Sequence, residues 1–270
     1  MKYIQFMIII FVNLILLFTS CKSAVEEPIK LPTADYSKVF LQWDFEKEPT
    51  GLLGYPSKDI QIVADPLNPT NKVMMCSSPE GEYRTEVSPM MRKSTSLNYF
   101  HADDSSLETG DEFWLGIRIL KVHEDFDCNP SIVQIGPINN PTNNPGVTSA
   151  GHYQLQWKSS YNKWRWREFK STFDPNETTS DVVTVNYGSW EKFVFHCKFK
   201  SNATGLIEVW KDGQLIYSAT RQNGTAKSQT RIVWGVYGGI GNTAHPNLVC
   251  YFDDVKIGNR NASYNDVVPK

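Results

Sequence analysis

Hydrophobic and polar residues alternate along most of the chain beyond its N-terminal region. The alternation is clearest in residues 113–119, 193–199 and 231–237, where apolar side chains recur at every second position. A period of two is that of a β-strand with one buried face, whereas an amphipathic helix would show a period of 3.6 residues. The pair Asp212-Gly213 separates two further strands and is typical of a tight hairpin turn. The pattern therefore predicts an all-β protein.

The strand pattern runs through residues 37–260 without an internal repeat, which favours a single domain. We predict one β-sandwich of the jelly-roll, concanavalin-like type, in which two antiparallel sheets pack face to face. Residues 139–151 are rich in Asn, Pro, Thr and Gly, so we expect a long exposed loop there. Residues 261–270 are expected to form a C-terminal tail.

Residues 1–20 are interpreted as a targeting segment and not as part of the fold. Lys2 precedes a nearly continuous hydrophobic run over residues 4–18, which has the length and flanks of a secretory signal. Small residues then lead into Cys21, an arrangement that resembles the lipobox of bacterial lipoproteins, in which this cysteine is lipidated. We expect residues 21–36 to be a lipidated tether that holds the protein at the cell envelope, on a bacterial outer membrane. An ordinary signal peptide and a single membrane anchor are the alternatives.

The composition narrows the choice of partners. The formal net charge of −2 leaves no basic excess with which to hold a phosphate backbone, so a nucleic-acid partner is not expected. The chain contains 14 Phe, 12 Tyr and 8 Trp, more aromatic side chains than a core alone would need. Some of these rings are therefore candidates for ligand binding. We expect a monomer that requires no cofactor.

Four further cysteines and a pair of aspartates bear on metals and disulfides. The cysteines are Cys76, Cys128, Cys197 and Cys250. Their wide spacing matches no zinc-binding pattern, and both buried thiols and the disulfides of an exported protein are compatible with it. Asp253 and Asp254 are candidates for contact with a structural calcium ion, and the alternative is that they only end a strand.

Alternation also sorts the side chains into two faces, and one face is rich in polar groups. Residues 152–157 and 164–167 form a predicted hairpin. If Trp157 pairs with Trp164, polar residues of both strands meet on the opposite face. The facing pairs are then Gln156 with Arg165 and Gln154 with Arg167.

Other strands contribute to the same kind of face. We assign to it, by strand parity, Arg84, Glu86, Trp114, Arg118, Gln134 and Tyr237. An Arg fork matches a carboxylate, Gln offers amide donors, and aromatic rings stack on sugars. The face therefore suits an anionic glycan held in a concave groove of one sheet. The alternative is an ordinary solvated face.

Three short motifs stand in order along the chain: Tyr83-Arg84-Thr85-Glu86-Val87, Val133-Gln134-Ile135 and Trp234-Gly235-Val236-Tyr237. They resemble the Arg-Thr-Glu, Gln-Ile and Gly-x-Tyr strands of the jelly-roll polysaccharide lyases. The resemblance is strongest to the heparin lyase I-like and glucuronan lyase group, and the alginate lyases of similar fold are more distant. A fourth stretch, residues 190–213, resembles back strands of the heparin lyase I-like group.

The resemblance implies β-elimination at a uronic acid. Gln134 and Arg84 would hold the substrate carboxylate, and Tyr237 would be the general acid and a candidate base. Glu86 would orient Arg84. The residues assigned to substrate binding are Glu86, Trp114, Arg118, Gln154, Gln156, Arg165 and Arg167.

One position departs from the alginate-type motif, in which a histidine follows Gln-Ile. Gly136 occupies that position here. His152, at the start of the polar hairpin, is our candidate for the missing imidazole, and His101 is the alternative. Because a lyase without a base would bind and not cleave, this departure bears on catalysis itself.

Two other functions compete with the lyase. A non-catalytic, lectin-like or laminin G-like module would use the same fold and face. A retaining glycoside hydrolase would need two carboxylates about 5 Å apart, commonly delivered by one strand. The chain has no Glu-x-Asp-x-x-Glu run, so the hydrolase ranks last. Glucuronan-like, alginate-like and glycosaminoglycan polymers all remain open as substrates.

Overall fold

The structure is a computed structural model. It describes residues 38–47, 52–55, 59–79, 82, 84–89, 112–122, 129–137, 152–158, 161–169, 178–200, 202–221, 223, 230–238 and 247–270. The predicted signal segment and tether with Cys21, together with Tyr83, His101, Cys128 and the loop 139–151, lie outside the described residues. In the described part of the chain, no helix is long and apolar enough to span a membrane.

The described residues form fifteen strands and one short helix. The strands are β1 (Val39–Trp43), β2 (Leu52–Tyr55), β3 (Ile60–Ala64), β4 (Lys72–Ser78), β5 (Arg84–Pro89), β6 (Glu112–Leu120), β7 (Ser131–Pro137), β8 (His152–Lys158), β9 (Lys163–Phe169), β10 (Thr178–Thr184), β11 (Trp190–Lys198), β12 (Leu206–Lys211), β13 (Gln214–Thr220), β14 (Thr230–Tyr237) and β15 (Leu248–Gly258). The helix, α1, spans Tyr264–Val267.

The strands pair into two antiparallel sheets. The eight-stranded sheet has the order β13-β12-β11-β6-β15-β4-β3, with β1 also paired to β15. The seven-stranded sheet has the order β10-β9-β8-β7-β14-β5-β2. The prediction of an all-β sandwich is therefore confirmed. The turn between β12 and β13 is the predicted hairpin, in which Asp212 and Gly213 both have positive φ angles, 48° and 87°.

The core lies between the two sheets and is rich in aromatic side chains. Trp157, Trp164 and Trp166 lie on the inward face of their hairpin, and each is at most 1% exposed. The rings in the alternating segments are buried as well, namely those of Phe113, Phe193, Phe195, Phe199 and Trp234. Most of the large rings are therefore explained by packing between the sheets.

Buried polar groups also join the two sheets. The Trp164 indole of β9 donates a hydrogen bond of 2.8 Å to Glu191 of β11, and the Lys211 ammonium lies 2.9 Å from the same carboxylate. Burial raises the pKa of Glu191, although the hydrogen bonds from Lys211 and Trp164 oppose this shift. The buried charge is thus paired, as a carboxylate in a core must be.

The C-terminal segment packs on the outer face of the eight-stranded sheet. Val267 of α1 is fully buried in a small cluster with Val39, Val194 and Ala262, and the half-buried Trp114 packs against it. A Cβ at Gly116 would lie only 1.9 Å from the Val267 carbonyl oxygen, so the segment approaches β6 closely there. Residues 261–270, set apart above as a tail, therefore belong to the packed structure.

Asp253 and Asp254, the candidates for calcium contact, each form an ion pair, and the described cysteines are buried. Asp253 lies 3.1 Å from Arg118, and Asp254 lies 3.1 Å from Lys256. No group of three or more His, Cys, Asp or Glu side chains that could hold a metal ion occurs among the described residues. Cys76, Cys197 and Cys250 are buried, and burial raises the pKa of the Cys76 and Cys197 thiols.

Candidate functional site

The outer face of the seven-stranded sheet brings most of the predicted polar residues together. Strands β9, β8, β7, β14 and β5 are consecutive neighbours in this sheet. They carry the following predicted site residues: Arg165 and Arg167 on β9, Gln154 and Gln156 on β8, Gln134 on β7, Tyr237 on β14, and Arg84 and Glu86 on β5. We call this surface the polar face. Residues far apart in sequence meet there because the strand order interleaves distant segments.

The hairpin of β8 and β9 has the predicted register. Trp157 is paired with Trp164, so that Gln156 faces Arg165 and Gln154 faces Arg167. The three tryptophans of the hairpin point into the core, and the polar residues between them consequently point outward. Arg165 and Arg167 are half-buried, and they give this end of the polar face a positive charge.

Arg84 lies between a carboxylate and an aromatic ring at the other end of the polar face. Its Nε atom is 3.5 Å from Oε2 of Glu86. Its guanidinium carbon is 4.9 Å from the centroid of the Tyr237 ring, within the range of a cation–π contact. Both contacts hold the planar guanidinium beside Tyr237, so a cation and a phenol are available to the same ligand.

Gly235 sets the spacing of the backbone at this point. Tyr237 is paired with Arg84 across β14 and β5, and Gly235 with Glu86. Gly235 has a φ of 142°, and a Cβ there would lie 2.3 Å from the Thr85 carbonyl oxygen and 2.6 Å from Cα of Glu86. A side chain would therefore push the strands apart. The glycine of the Gly-x-Tyr motif has a steric role, separate from the chemistry of the tyrosine.

Gln134 stands at the centre of a buried chain of amides, which we call the amide ladder. Gln156 donates to Oε1 of Gln154 over 2.9 Å, and Gln154 donates to Oε1 of Gln134 over 3.0 Å. Gln134 in turn donates to the Glu86 carboxylate. All four side chains are at most 6% exposed. The ladder connects the amides of β8 and β7 to the carboxylate of β5.

Ser131 is also part of this network, although it was not predicted from the sequence. Its hydroxyl donates to Oε1 of Gln154 over 2.7 Å and accepts from Gln156 over 3.3 Å. Ser131 and Gln134 are three residues apart, so strict alternation would place them on opposite faces. The register shifts between Ser131 and Val133 on β7, and this bulge brings both side chains to the polar face.

The placement predicted for Trp114 and Arg118 is wrong. Both residues lie on β6, which belongs to the eight-stranded sheet. Trp114 stacks on the His196 ring at 3.8 Å, and Arg118 pairs with Asp253 at 3.1 Å. Parity correctly indicated that both side chains point out of the core, but parity alone does not reveal to which sheet a strand belongs. They are therefore not part of the polar face.

The histidines considered for the role of the base are His152 and His101. The backbone of His152 begins β8 and is paired with Phe169. Its side chain lies outside the described residues, as does all of His101. His196 is held by Glu208 at 2.9 Å and Glu112 at 2.7 Å on the eight-stranded sheet. The imidazole of His196 is thus remote from the polar face.

The chain is similar to a known protein family in sequence and to known proteins in fold. Residues 45–256 match the sequence profile of a polysaccharide lyase family. No curated protein matches the chain in sequence. The profile match covers every residue of the amide ladder, as well as Arg84 and Tyr237.

Three solved structures illustrate how widely this fold is used. The endo-β-1,4-glucuronan lyase of the fungus Trichoderma reesei has a TM-score of 0.57 at 16% identity, over 89% of this chain and 95% of that one. The alginate lyase of Aplysia kurodai has 0.55 at 11% identity, over 77% and 90%. An endo-β-galactosidase of Clostridium perfringens that releases GlcNAcα1-4Gal has 0.55 at 11% identity, over 86% and 64%. At such identities the similarity concerns the fold, so the chemistry must be argued from the side chains.

Proposed function

The chain belongs to the polysaccharide lyase family, and on this premise we propose that it is an exported enzyme that cleaves a uronic-acid-containing polysaccharide by β-elimination. The observation that carries the proposal is the convergence of Arg84, Gln134 and Tyr237 on one face. An uncharged glycan would not require a guanidinium at this point. The similar glucuronan and alginate lyases are consistent with a uronate substrate.

The reaction needs three kinds of assistance. The C5 proton of a uronic acid is weakly acidic, and its loss places negative charge on the adjacent carboxylate. Arg84 and Gln134 would stabilise this charge by a cation and an amide N–H. As the C5 proton leaves to a base, the double bond forms between C4 and C5, and the bond from C4 to the glycosidic oxygen breaks. Tyr237 would donate a proton to that leaving oxygen.

Arg165 and Arg167 extend the positive charge along the polar face. Adjacent strands of a sheet are about 4.8 Å apart, so β9 lies roughly 10 Å from β7. We propose that these arginines bind carboxylates of sugars further along the polymer and leave the cleaved sugar to Arg84 and Gln134. Such an arrangement would favour polymers with closely repeated uronates.

Activity on a panel of polymers tests the proposal. The protein should release an unsaturated product, detected by its ultraviolet absorbance, from at least one polymer among glucuronan, alginate and glycosaminoglycans. Tyr237→Phe should lower kcat at least about 100-fold, since general acid–base catalysis contributes 10²–10⁴-fold, and should leave binding of the polymer intact. Tyr251→Phe, at a half-buried tyrosine of β15, is the matched control. No product from any polymer with a folded protein would refute the proposal.

A glycan-binding module is the second candidate, and it is favoured by a specific observation. Gly136 stands where the alginate-type motif has a histidine, so the base must come from another residue. If the protein binds a uronate polymer in affinity electrophoresis and releases no unsaturated product, the binding module is the correct function.

Export and anchoring are proposed on the sequence of the N-terminal segment. Cys21 would carry the lipid and hold the protein at the outer membrane. Replacement of Cys21 by Ala should move the protein from the membrane fraction to the soluble fraction. An unchanged distribution would contradict lipidation at this residue.

A further inference from the structure

The amide ladder runs in one direction, and this direction has a consequence for the substrate. We propose that Glu86 is a positioning residue that sets the orientation of the Gln134 amide, and that Gln154 and Gln156 hold this orientation without touching the substrate. The inference rests on the proposed function only for what Gln134 does. The ladder itself can be tested by stability alone.

The direction follows from the donor and acceptor groups. The nitrogen and oxygen of an amide have nearly the same size, so packing does not decide which way the amide turns. A carboxylate can only accept hydrogen bonds. Glu86 therefore requires the nitrogen of Gln134, which turns the Gln134 oxygen toward Gln154. Gln154 must then donate, and its own oxygen accepts from Gln156 and Ser131.

Burial makes this requirement strict. Gln154 is 2% and Gln156 4% exposed, so water cannot replace a lost partner within the ladder. A buried donor or acceptor without a partner destabilises the fold, because its hydrogen bond to water is lost on folding and is not replaced. Aligned hydrogen bonds also polarise one another, which strengthens a chain that runs one way. These two amides were assigned to substrate binding from the sequence, and their burial assigns them instead to positioning.

The orientation decides what the substrate carboxylate meets. On the side of Gln134 toward Glu86 lie Arg84 and Tyr237, where the reacting sugar would bind. With the observed direction, this side presents the amide nitrogen, whose N–H groups attract a carboxylate. With the opposite direction, the same side would present the carbonyl oxygen, which repels it. Glu86 thus acts on the substrate through Gln134, and also through its ion pair with Arg84.

Glu86→Gln and Gln154→Glu, made together, reverse the direction of the ladder without changing Gln134 or the net charge. In Gln154→Glu, the Gln134 amide lies between two carboxylates and can satisfy only one. In the double variant Glu86→Gln/Gln154→Glu, every group is satisfied again, but Gln134 donates to residue 154 and accepts from residue 86. We expect Gln154→Glu to lower Tm by roughly 3–10 °C and the second substitution to restore most of this loss. Additive changes in Tm would overturn the ladder as described.

Measurements of turnover and binding test the role of the Gln134 orientation separately from the existence of the ladder. The double variant should bind the uronate polymer more weakly and lose about 100-fold in kcat/KM, the size expected for one stabilising donor. Glu86→Gln alone is the control, because Arg84 loses the same carboxylate while Gln134 can still adopt the original direction; its loss should be smaller. A stable double variant with wild-type kcat/KM would overturn the role of orientation. If the wild type forms no product, the proposed function fails, and the Tm cycle still decides the ladder.

Discussion

Arg84 and Arg118 are nearly equivalent by local criteria and lie on opposite sheets. Each is paired with a buried carboxylate, Glu86 at 3.5 Å and Asp253 at 3.1 Å. The Arg84 guanidinium lies 4.9 Å from a tyrosine ring and that of Arg118 4.6 Å from a tryptophan ring. Their side chains are 24% and 21% exposed. A description limited to burial, charge and the nearest ring would assign the same role to both.

The neighbours one step further away distinguish the two arginines. Beyond Glu86, the contacts of Arg84 continue into the amide ladder. Beyond Asp253, those of Arg118 continue to Asn71, which donates to Asp253 over 3.2 Å and also contacts Asp65. Asp65 accepts from the backbone of Leu67, so this second network closes the turn between β3 and β4. Arg84 is thus connected to the proposed substrate-binding face, and Arg118 stabilises the loop between β3 and β4.

Among the substitutions that distinguish Arg84 from Arg118, Arg84→Ala should have the largest effect. We expect kcat/KM on a uronate polymer to fall about 10²–10³-fold, because a charge-stabilising group is lost where charge develops. Steady-state kinetics of the folded variant provide the measurement, and circular dichroism checks the fold. Unchanged kcat/KM would show that the ion pair with Glu86 only serves folding.

Arg118→Ala should destabilise the fold and leave kcat/KM unchanged. Removal of the cation leaves Asp253 without its ion pair, which we expect to cost about 2–3 kcal/mol after allowance for partial exposure. Burial already raises the pKa of Asp253, and loss of Arg118 should raise it further. The folded variant then holds a proton more tightly than the unfolded chain. Its stability is therefore retained below the pKa of an unfolded Asp, about 3.9, and falls as the pH rises through the folded pKa.

Urea titrations at several pH values measure this difference. The gap in unfolding free energy between wild type and Arg118→Ala should be widest near neutral pH and narrow in acid. A gap that widens in acid would contradict the assignment. Loss of turnover in the folded variant would show that Arg118 belongs to the functional site.

Trp114→Ala should have the smallest effect of the three and act on stability alone. The ring packs against the C-terminal segment and stacks on His196, so its removal opens space on the outer face of the eight-stranded sheet. Because Trp114 is half-buried, we expect a loss of about 2 kcal/mol, below the 3–5 kcal/mol of a fully buried tryptophan. Thermal unfolding measures the loss. A change in KM for the polymer would contradict its placement away from the polar face.

The sequence predicted the sandwich and part of the site for a definite reason. Parity identifies which residues of a strand share a face, so the register of the β8–β9 hairpin could be derived from the pairing of Trp157 with Trp164 and is confirmed. The pairing of Trp234 with Val87 likewise leaves Arg84 and Tyr237 on the outward side. These predictions needed only local alternation and one correct pair.

The remaining errors come from information that alternation does not contain. Trp114 was misplaced because parity does not specify the sheet, which depends on how strands distant in sequence pair. Ser131 was missed because a bulge reverses the parity of its strand. The burial of Gln154 was not foreseen either, since outward-pointing side chains on a sheet are ordinarily solvated. Each of these depends on long-range pairing.

Gly235 and Tyr237 belong to one motif, but we expect different kinds of selection to act on them. A side chain at position 235 would collide with the neighbouring strand, so the glycine is needed for the sandwich to form whether or not the protein cleaves a polymer. Tyr237 has its proposed role in proton transfer, and a descendant that only binds glycans could exchange it for phenylalanine. Proteins of this fold that have lost catalysis should therefore retain the glycine and vary at the tyrosine. In a survey of the family, the glycine would identify the proteins that share this fold, and the tyrosine would identify those that are enzymes.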